Sequence, residues 1–594
     1  MGASLIPLPV VIPLFAAALL TALRPAFRRT HAAHTVAIIA ALANTIICAE
    51  LTNLSRSDTL VYWLGNWRPR NGIALGICFA IDPMGAGLAT LCSLLALAAL
   101  VFSSRYFETV GTLYHVLMLI FLAAMCGFSL TGDAFNMFVF FELMSASAFA
   151  LCGYKTEERE SLQGALNFAV TNTIGAFLTL DGIALLYART GALNLAQIGR
   201  TLASNADALV AVAFVFIASG FLIKAAIFPF HLWLADAHAV APTPVCVMFS
   251  GVMVELGLYA VARIYWTMFA ASFTPLALTL RAALVTLGVL TALIGAVMCF
   301  AQLHLKRLLA FSTISHMGLL LVGFGLSTPT AIGGLAIYLV GHSLVKAALF
   351  LATGIVLHRF QTVDEFELKG RCSISPATGF IFIAGGLALA GMPPFATFFG
   401  SAAIDEAGRA AGYWWIPIVT AVVGIGTGGA VLRSVGRIYF GFGIGAPRSP
   451  HHHDPVERPS PISYVMTVPA IFLLLIASVI GTLDTFRYAA VRYAIRMEDS
   501  QAYARRVLEG IPMPHVLGVR HNTSLNALAH STGVTFAALF LAWFALSTRS
   551  RRTRRIFHAP LNVLRSLHTG IIGDYVVWII AGVVVLGAVL VRIF

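Results

Sequence analysis

The chain has 594 residues, 59% of them hydrophobic and 11% charged, with a mean hydropathy of +0.88. Soluble domains carry about 25% charged residues, so this composition excludes a water-soluble globular fold and describes an integral membrane protein. The net charge of +13 sits in short loops between apolar runs, where it sets topology and lipid contact rather than binding nucleic acid.

Apolar windows of about 20 residues recur from end to end, each long enough to cross ~30 Å of hydrocarbon as a helix. They lie near 4–23, 35–52, 81–103, 114–130, 134–153, 165–187, 208–230, 245–267, 279–302, 308–326, 332–357, 376–399, 414–438, 464–482, 532–547 and 571–593. The expected fold class is all-α integral membrane, with about 16 transmembrane helices and none of the alternation of a membrane barrel. The first run has no basic residue before it, and Arg24, Arg28 and Arg29 follow it, so it reads as an anchor with the amino terminus outside rather than a cleavable signal. The loops holding Lys155 and Arg159, Lys306 and Arg307, Arg359 to Arg371, and Arg549 to Arg555 fall on the same inner side.

The eight cysteines are scattered and contain no C-x-x-C pair, so neither an iron–sulfur cluster nor a zinc site is expected. GIGTGG (424–429) and GFGIG (441–445) lie in or just after an apolar helix with no preceding strand, and read as packing glycines. No metal, no cofactor, and no redox or hydrolytic centre is expected in this chain.

Ionisable residues inside apolar runs carry the functional signal, because each is costly in hydrocarbon. Glu142 lies deep in NMFVFFELMSASAF, with no basic residue near it in sequence. Asp181, in LTLDGIALLY, stands about one and a half turns from its span end, where reaching the interface explains it as well as function does. Lys224 lies in FLIKAAIFPF, with Pro229, Pro242 and Pro244 breaking the backbone beyond it. A lysine there costs roughly 2.5–3.5 kcal/mol on insertion scales, and the proline breaks favour a hydrated pocket over simple snorkelling. His231, Asp236 and His238 follow in HLWLADAH, where capping or loop packing is the expected role rather than a metal site. Glu255 (SGVMVELGLY) adds a carboxylate, and is expected to pair with Lys224 or with Lys346. His316 has Ser312 one turn before it, and His342 and Lys346 are four residues apart on one helix face. A second proline-interrupted run, LALAGMPPF (387–395), echoes the first. Paired broken spans mark ion or substrate paths in transporters, although proline kinks also occur in inert helices.

Burial disfavours charge, and a nearby opposite charge restores it. Moving Glu142 toward or away from Lys224 therefore changes how firmly a proton is held. A row of such groups, linked by histidines and water, passes protons or gates another cation. Residues 445–463, rich in proline and histidine, read as an exposed loop, and 483–530, with arginines and tyrosines at helical spacing, as a helix on the membrane surface or on a neighbouring subunit.

FFELMS around Glu142, LIKAAIFPFHLWLADAHAVAPTP, LKRLLAFSTISHMG (305–318), GHSLVKAALFLATG (341–354) and LALAGMPPF resemble the antiporter-like subunits of respiratory complex I. Mrp-type sodium/proton antiporters and hydrogenase-4-type membrane hydrogenases share the superfamily. Over roughly residues 80–440 the resemblance implies a fourteen-helix core with two inverted five-helix repeats and broken helices 7 and 12. Helices 1–3 would occupy 1–110, the first repeat (helices 4–8) 111–267, the second (helices 9–13) 268–440, and a carboxy-terminal extension with helices 14–16 and a surface amphipathic segment 441–594. It implies that Glu142 and Lys224 form the pair of the first half-channel, with His316, His342 and Lys346 on a central hydrophilic axis and Glu255 and Asp181 as further translocation candidates. This sequence departs from the family at Glu255 and Ser401, where lysine or, at the second, glutamate is usual, and at Asn167 and His304. Asp405 and Glu406, one turn after Ser401, are the candidate exit-side replacements.

The implied function is proton translocation or sodium/proton exchange within a larger assembly in a bacterial plasma membrane. Other membrane subunits would be its partners, with redox subunits among them. The alternatives are a non-translocating scaffold of such a complex and a coupling subunit for inorganic-carbon uptake.

Overall fold

The computed structural model describes residues 2–23, 30–107, 110–203, 207–444, 463–518, 524–548, 564, 566 and 568–591. The arginines at 24–29, the histidine loop at 445–462 and the Arg549 to Arg555 run lie outside them. Thirteen helices among the described residues are long and apolar enough to cross a membrane. Three shorter apolar helices, Leu8–Ala22, Ala208–Lys224 and Pro376–Leu389, occupy further apolar windows. The one sheet among the described residues is a hairpin, in which Leu60–Trp63 pairs antiparallel with Cys78–Ile81. Bridges from Phe79 to Thr131 and from Asp133 to Asn194 tie neighbouring interhelical loops to it, marking a hairpin face of the bundle. On the opposite face, His304 bridges Asp364.

Both proline-interrupted runs break where the sequence lacks an N–H for the helix ladder. The first helix ends at Lys224 itself, the chain turns through residues 225–231, and a helix resumes at Leu232–Val240. Freed polar groups in lipid must be satisfied from within the protein. Here the Phe228 N–H donates to Thr291 Oγ1 (3.0 Å), and Trp233 Nε1 donates to the Ile223 carbonyl (2.9 Å). The second break separates Pro376–Leu389 from Ala396–Ala410. Ser531 Oγ donates to the Gly391 carbonyl (2.6 Å), and Thr397 Oγ1 to that of Ala388 (2.7 Å).

Small residues set the depth of Lys224. A Cβ on Gly220 would stand 2.0 Å from Thr179 Oγ1 and 2.3 Å from the Gly175 carbonyl, so Arg159–Thr190 and Ala208–Lys224 touch backbone to backbone. On the other side, a Cβ on Gly257 would meet the Ala225 nitrogen at 2.7 Å. Thr243–Phe269, Leu305–Leu326 and Pro329–Phe360 form the interior of the bundle, and the first two are buried along their whole apolar windows.

The carboxy-terminal region also seats on the bundle. Asp484–Glu498 and Ser500–Glu509 pack on the hairpin face of this same chain. Their small side buries Ala490 and Ala494, and Val491 seats against Gly333. Arg506 pairs with Asp58 (2.9 Å) and Glu509 with Arg200 (2.6 Å). Beyond them, Leu525–Ser547 covers the second break, with Ala538 and Ala542 against Ala390. Ile572–Val591 covers the first, with Gly582 against Pro229 and Phe230.

Candidate functional site

Asp133 caps the Glu142 helix (Ala134–Cys152) by accepting from the Asn136 N–H at 2.8 Å. Ser145 follows Glu142 by three residues and shares its face. Lys224 is fully buried, and its Nζ donates to Ser145 Oγ at 2.7 Å. The ammonium stands 4.6 Å from the centre of the Phe141 ring and 5.6 Å from that of Phe168, geometry that offsets part of its desolvation. Glu142 forms no ion pair with it among the described residues, and Glu142 Oε1 is buried without a hydrogen-bond partner. The expected Glu142–Lys224 pair therefore shares one site, with a hydroxyl rather than a carboxylate touching the ammonium.

Glu255 pairs with neither lysine. Its Oε1 lies 2.7 Å from His342 Nδ1, and its Oε2 accepts from Ser343 Oγ. The reason is register: His342 and Ser343 project where the first turn of Val254–Ile264 crosses Pro329–Phe360. Lys346, one turn further on, reaches instead the Leu309 carbonyl and Ser312 Oγ, each at 2.5 Å. His316 Nδ1 is 2.5 Å from Tyr338 Oη and its Nε2 is 3.1 Å from Thr427 Oγ1. The His316 and His342 ring centres are 5.0 Å apart. The central axis is thus one contiguous cluster of fully buried polar groups.

Tyr338 carries the cluster to a cavity of about 40 Å³ that Ser401, Asp405, Thr420 and His530 also line. Asp405 accepts from Thr420 Oγ1 at 2.9 Å, and its Oδ2 lies 3.9 Å from His530 Nδ1. Ser401 spends its hydroxyl on the Phe398 carbonyl at 3.0 Å. Glu406 is exposed and lines a separate cavity with Arg409 and Arg487. Asp181 is exposed on its helix and joins none of these groups.

Asp236 anchors a cluster on the face opposite the hairpin. It accepts from Tyr575 Oη at 2.6 Å and Asn167 Nδ2 at 3.3 Å, and pairs with Arg307 at 3.4 Å. His231 and His238 are buried; among the described residues neither ring nitrogen of His238 has a hydrogen-bond partner, and His238 stacks on Phe350. Among the described residues, no group of three or more His, Cys, Asp or Glu is placed to hold a metal ion.

Residues 131–426 match the family model described as NADH:quinone oxidoreductase/Mrp antiporter, TM. The chain is 33% identical over 451 residues to NADH-quinone oxidoreductase subunit N of Desulforudis audaxviator (strain MP104C), covering 74% of this chain and 87% of that one. The chain belongs to the NADH:quinone oxidoreductase/Mrp antiporter family of membrane subunits. It is 29% identical over 449 residues to a Na(+)/H(+) antiporter subunit of Bacillus subtilis (strain 168), covering 73% and 85% of the two chains. It also superposes on a chain of the Mrp complex from Dietzia sp. DQ12-45-1b with a TM-score of 0.74 at 26% identity, covering 85% of this chain and 99% of that one.

The family segment contains every candidate from Glu142 to Glu406. Sequence reasoning missed Ser145, Ser343, Tyr338 and Thr427, whose hydroxyls contact Lys224, Glu255 and His316. Ser145 was recoverable from its i+3 spacing to Glu142. Thr427 was not, since it lies 111 residues from His316.

Proposed function

We propose that this chain is a proton-translocating, or sodium/proton-exchanging, membrane subunit of a complex I-like, Mrp-like or hydrogenase-4-like assembly. One observation carries the reading. Lys224, Glu255, His316, His342 and Lys346 are all fully buried, and their partners are hydroxyls, carbonyls and one another rather than a matched set of ion pairs. Buried charge without a matched partner destabilises a fold, so a purely structural role gives no reason to keep it. A transporter has that reason, because groups held by hydroxyls and imidazoles exchange protons without breaking a strong ion pair.

The proposed path begins at Glu142, crosses Ser145 to Lys224, and reaches the Glu255–His342 contact by relay across the first break. From His342 it passes to His316 and Tyr338, then through the small cavity to Asp405 and the half-exposed His530. A cavity of about 40 Å³ exceeds the ≳ 10–15 Å³ that one water requires, so water can bridge Tyr338 to Asp405. Lys346 would hold the axis poised from its seat on Ser312. Glu406 and Asp181 stay at its edge. The two breaks would occupy equivalent places in two inverted five-helix repeats of a fourteen-helix core, spanning 111–267 and 268–440.

In this reading the assembly sits in a bacterial plasma membrane, with the hairpin face and the amino terminus outside. Neighbouring membrane subunits complete the path, redox subunits supply any electron transfer, and this chain holds no cofactor. The test is proton or sodium movement in energised vesicles from cells carrying Lys224→Ala. Lost transport with intact assembly supports the reading. Unchanged transport overturns it in favour of a scaffold, the reading that the committed Ser401 hydroxyl favours.

A further inference from the structure

We propose that an apolar cavity of about 560 Å³ opening on the hairpin face is a binding site for one acyl chain of an anionic phospholipid, with the phosphate held at Arg56. The cavity runs between Pro83–Tyr106, Pro329–Phe360 and the helices that cross them. On the first helix its lining extends from Pro83 to Leu94, eleven rises of about 1.5 Å, or ~16 Å. That is half of a ~30 Å hydrocarbon core, the depth of one leaflet.

Apart from Arg56, its walls are mainly Leu, Ile, Ala, Val, Met and aromatic side chains; Thr52 and Thr90 spend their hydroxyls on their own helices, and Tyr259 donates to the Ser129 carbonyl. A cavity of this volume would need on the order of 20 waters to fill it, each seeking two to four polar partners that the walls do not provide. A flexible hydrocarbon chain fits both the shape and the chemistry.

The mouth selects the headgroup. Arg56 is exposed and is the one charged residue lining the cavity. Nearby carboxylates do not compete for it, because Asp58 pairs with Arg506 (2.9 Å) and Asp82 with Arg263 (2.5 Å). Arg496 donates to the Arg56 carbonyl at 2.8 Å, which fixes the backbone that presents the Arg56 side chain. An exposed guanidinium at the rim of an apolar cavity suits a phosphate, whose oxygens it can bind through two N–H groups at once.

The deep end adds a consequence, which rests on the transport reading as the binding itself does not. Leu258 is three residues from Glu255, and Leu339 three before His342, so both stand one turn from the Glu255–His342 contact. A bound chain would keep hairpin-face water off that contact and confine exchange to the Tyr338–Asp405 route.

Native mass spectrometry tests the site, using the full chain purified in its complex and exchanged into a phosphatidylglycerol–phosphatidylcholine mixture. One retained phosphatidylglycerol per chain is expected. Filling the cavity with Leu91→Trp and Leu339→Phe should cut retention at least tenfold, and Arg56→Gln should keep a lipid but lose the preference for phosphatidylglycerol. Equal retention in the filled variant, or a neutral isoprenoid as the bound molecule, overturns the proposal. A second measurement avoids repacking. Trp266 lines the cavity and is 4% exposed. Its fluorescence, read as wild type minus Trp266→Phe, should be quenched by chain-brominated phosphatidylglycerol, and an unquenched Trp266 sinks the idea whatever the filled variant does.

Discussion

His342 Nδ1 and Glu255 Oε1 lie 2.7 Å apart with neither side chain exposed. With Ser343 on the other carboxylate oxygen, this contact holds Glu255 without a lysine partner among the described residues. Removing one member of such a contact leaves the other desolvated, so each single substitution should cost more than the double one. A double-mutant cycle with Glu255→Gln and His342→Gln, read by thermal unfolding in detergent, should give a coupling of about 1–3 kcal/mol. The same cycle for Glu255 with Lys346, or with Lys224, should give none beyond error. A large Glu255–Lys346 coupling would refute the register described above.

Among the described residues, Lys224 has one hydrogen-bond acceptor, Ser145. A hydrogen bond to a charged group contributes about 1.5–3 kcal/mol, so Ser145→Ala should slow transport roughly tenfold or more. Ser145→Thr keeps the hydroxyl and should stay near wild type, while Lys224→Ala should abolish transport. Co-purification of partner subunits should be unchanged in all three. Transport in Ser145→Ala equal to that in wild type would mean that Glu142 alone serves the lysine.

At the end of the proposed path, Asp405 faces the cavity and Ser401 is committed to its own helix. Asp405→Asn and Tyr338→Phe should each lower transport about tenfold, on the scale of losing one positioned proton carrier. Ser401→Ala should change little. If Ser401→Ala is as damaging as Asp405→Asn, the assignment of the proton carrier at this cavity to Asp405 is wrong.

The apolar windows made most helices legible, because period and length suffice where hydrocarbon is the solvent. The two proline breaks were legible for the same local reason. Partner choice was not. Lys224 and Ser145 are 79 residues apart, and Glu255 and His342 are 87 apart, so nothing in spacing distinguishes His342 from Lys346 as the partner of Glu255. The contact of Asp484–Glu498 with its own chain was not legible, because an amphipathic helix looks alike whether its small face meets lipid or, as Val491 does, a glycine of the same chain. Asp181 shows the reverse: a buried carboxylate in a hydropathy plot is an exposed one on the folded helix.

Gly220 offers a test of how Lys224 is positioned. A side chain there collides with Thr179 and with backbone at Gly175, so Gly220→Val should destabilise by about 1–3 kcal/mol or more and lower the melting temperature. Gly533, in Leu525–Ser547, has nothing within 4 Å of the added atom. Gly533→Ala should therefore be neutral or stabilise by about 0.5–1 kcal/mol through helix propensity. Equal melting temperatures for Gly220→Val and wild type would refute the backbone contact.

Glu498 ends the Asp484–Glu498 helix outside the membrane-spanning segments, and burial pushes its carboxyl up to about 7. Its Oε1 is buried with no hydrogen-bond partner. In the unfolded segment a glutamate titrates near ~4.3. Between these values the folded segment holds a proton that the unfolded one has released. Its stability is therefore full below the unfolded value and falls as pH rises through about 7. Hydrogen exchange across 484–509, corrected for intrinsic rates, should accelerate by roughly 50- to 100-fold between pH 5 and pH 8, almost all of it below pH 7 where the two states differ by up to one proton. Glu498→Gln carries no titrating proton, so its protection should be flat over that range and exceed wild type at pH 8. A wild-type segment whose protection is independent of pH, or rises with it, would mean that water or a partner reaches Glu498 Oε1 and solvates the charge.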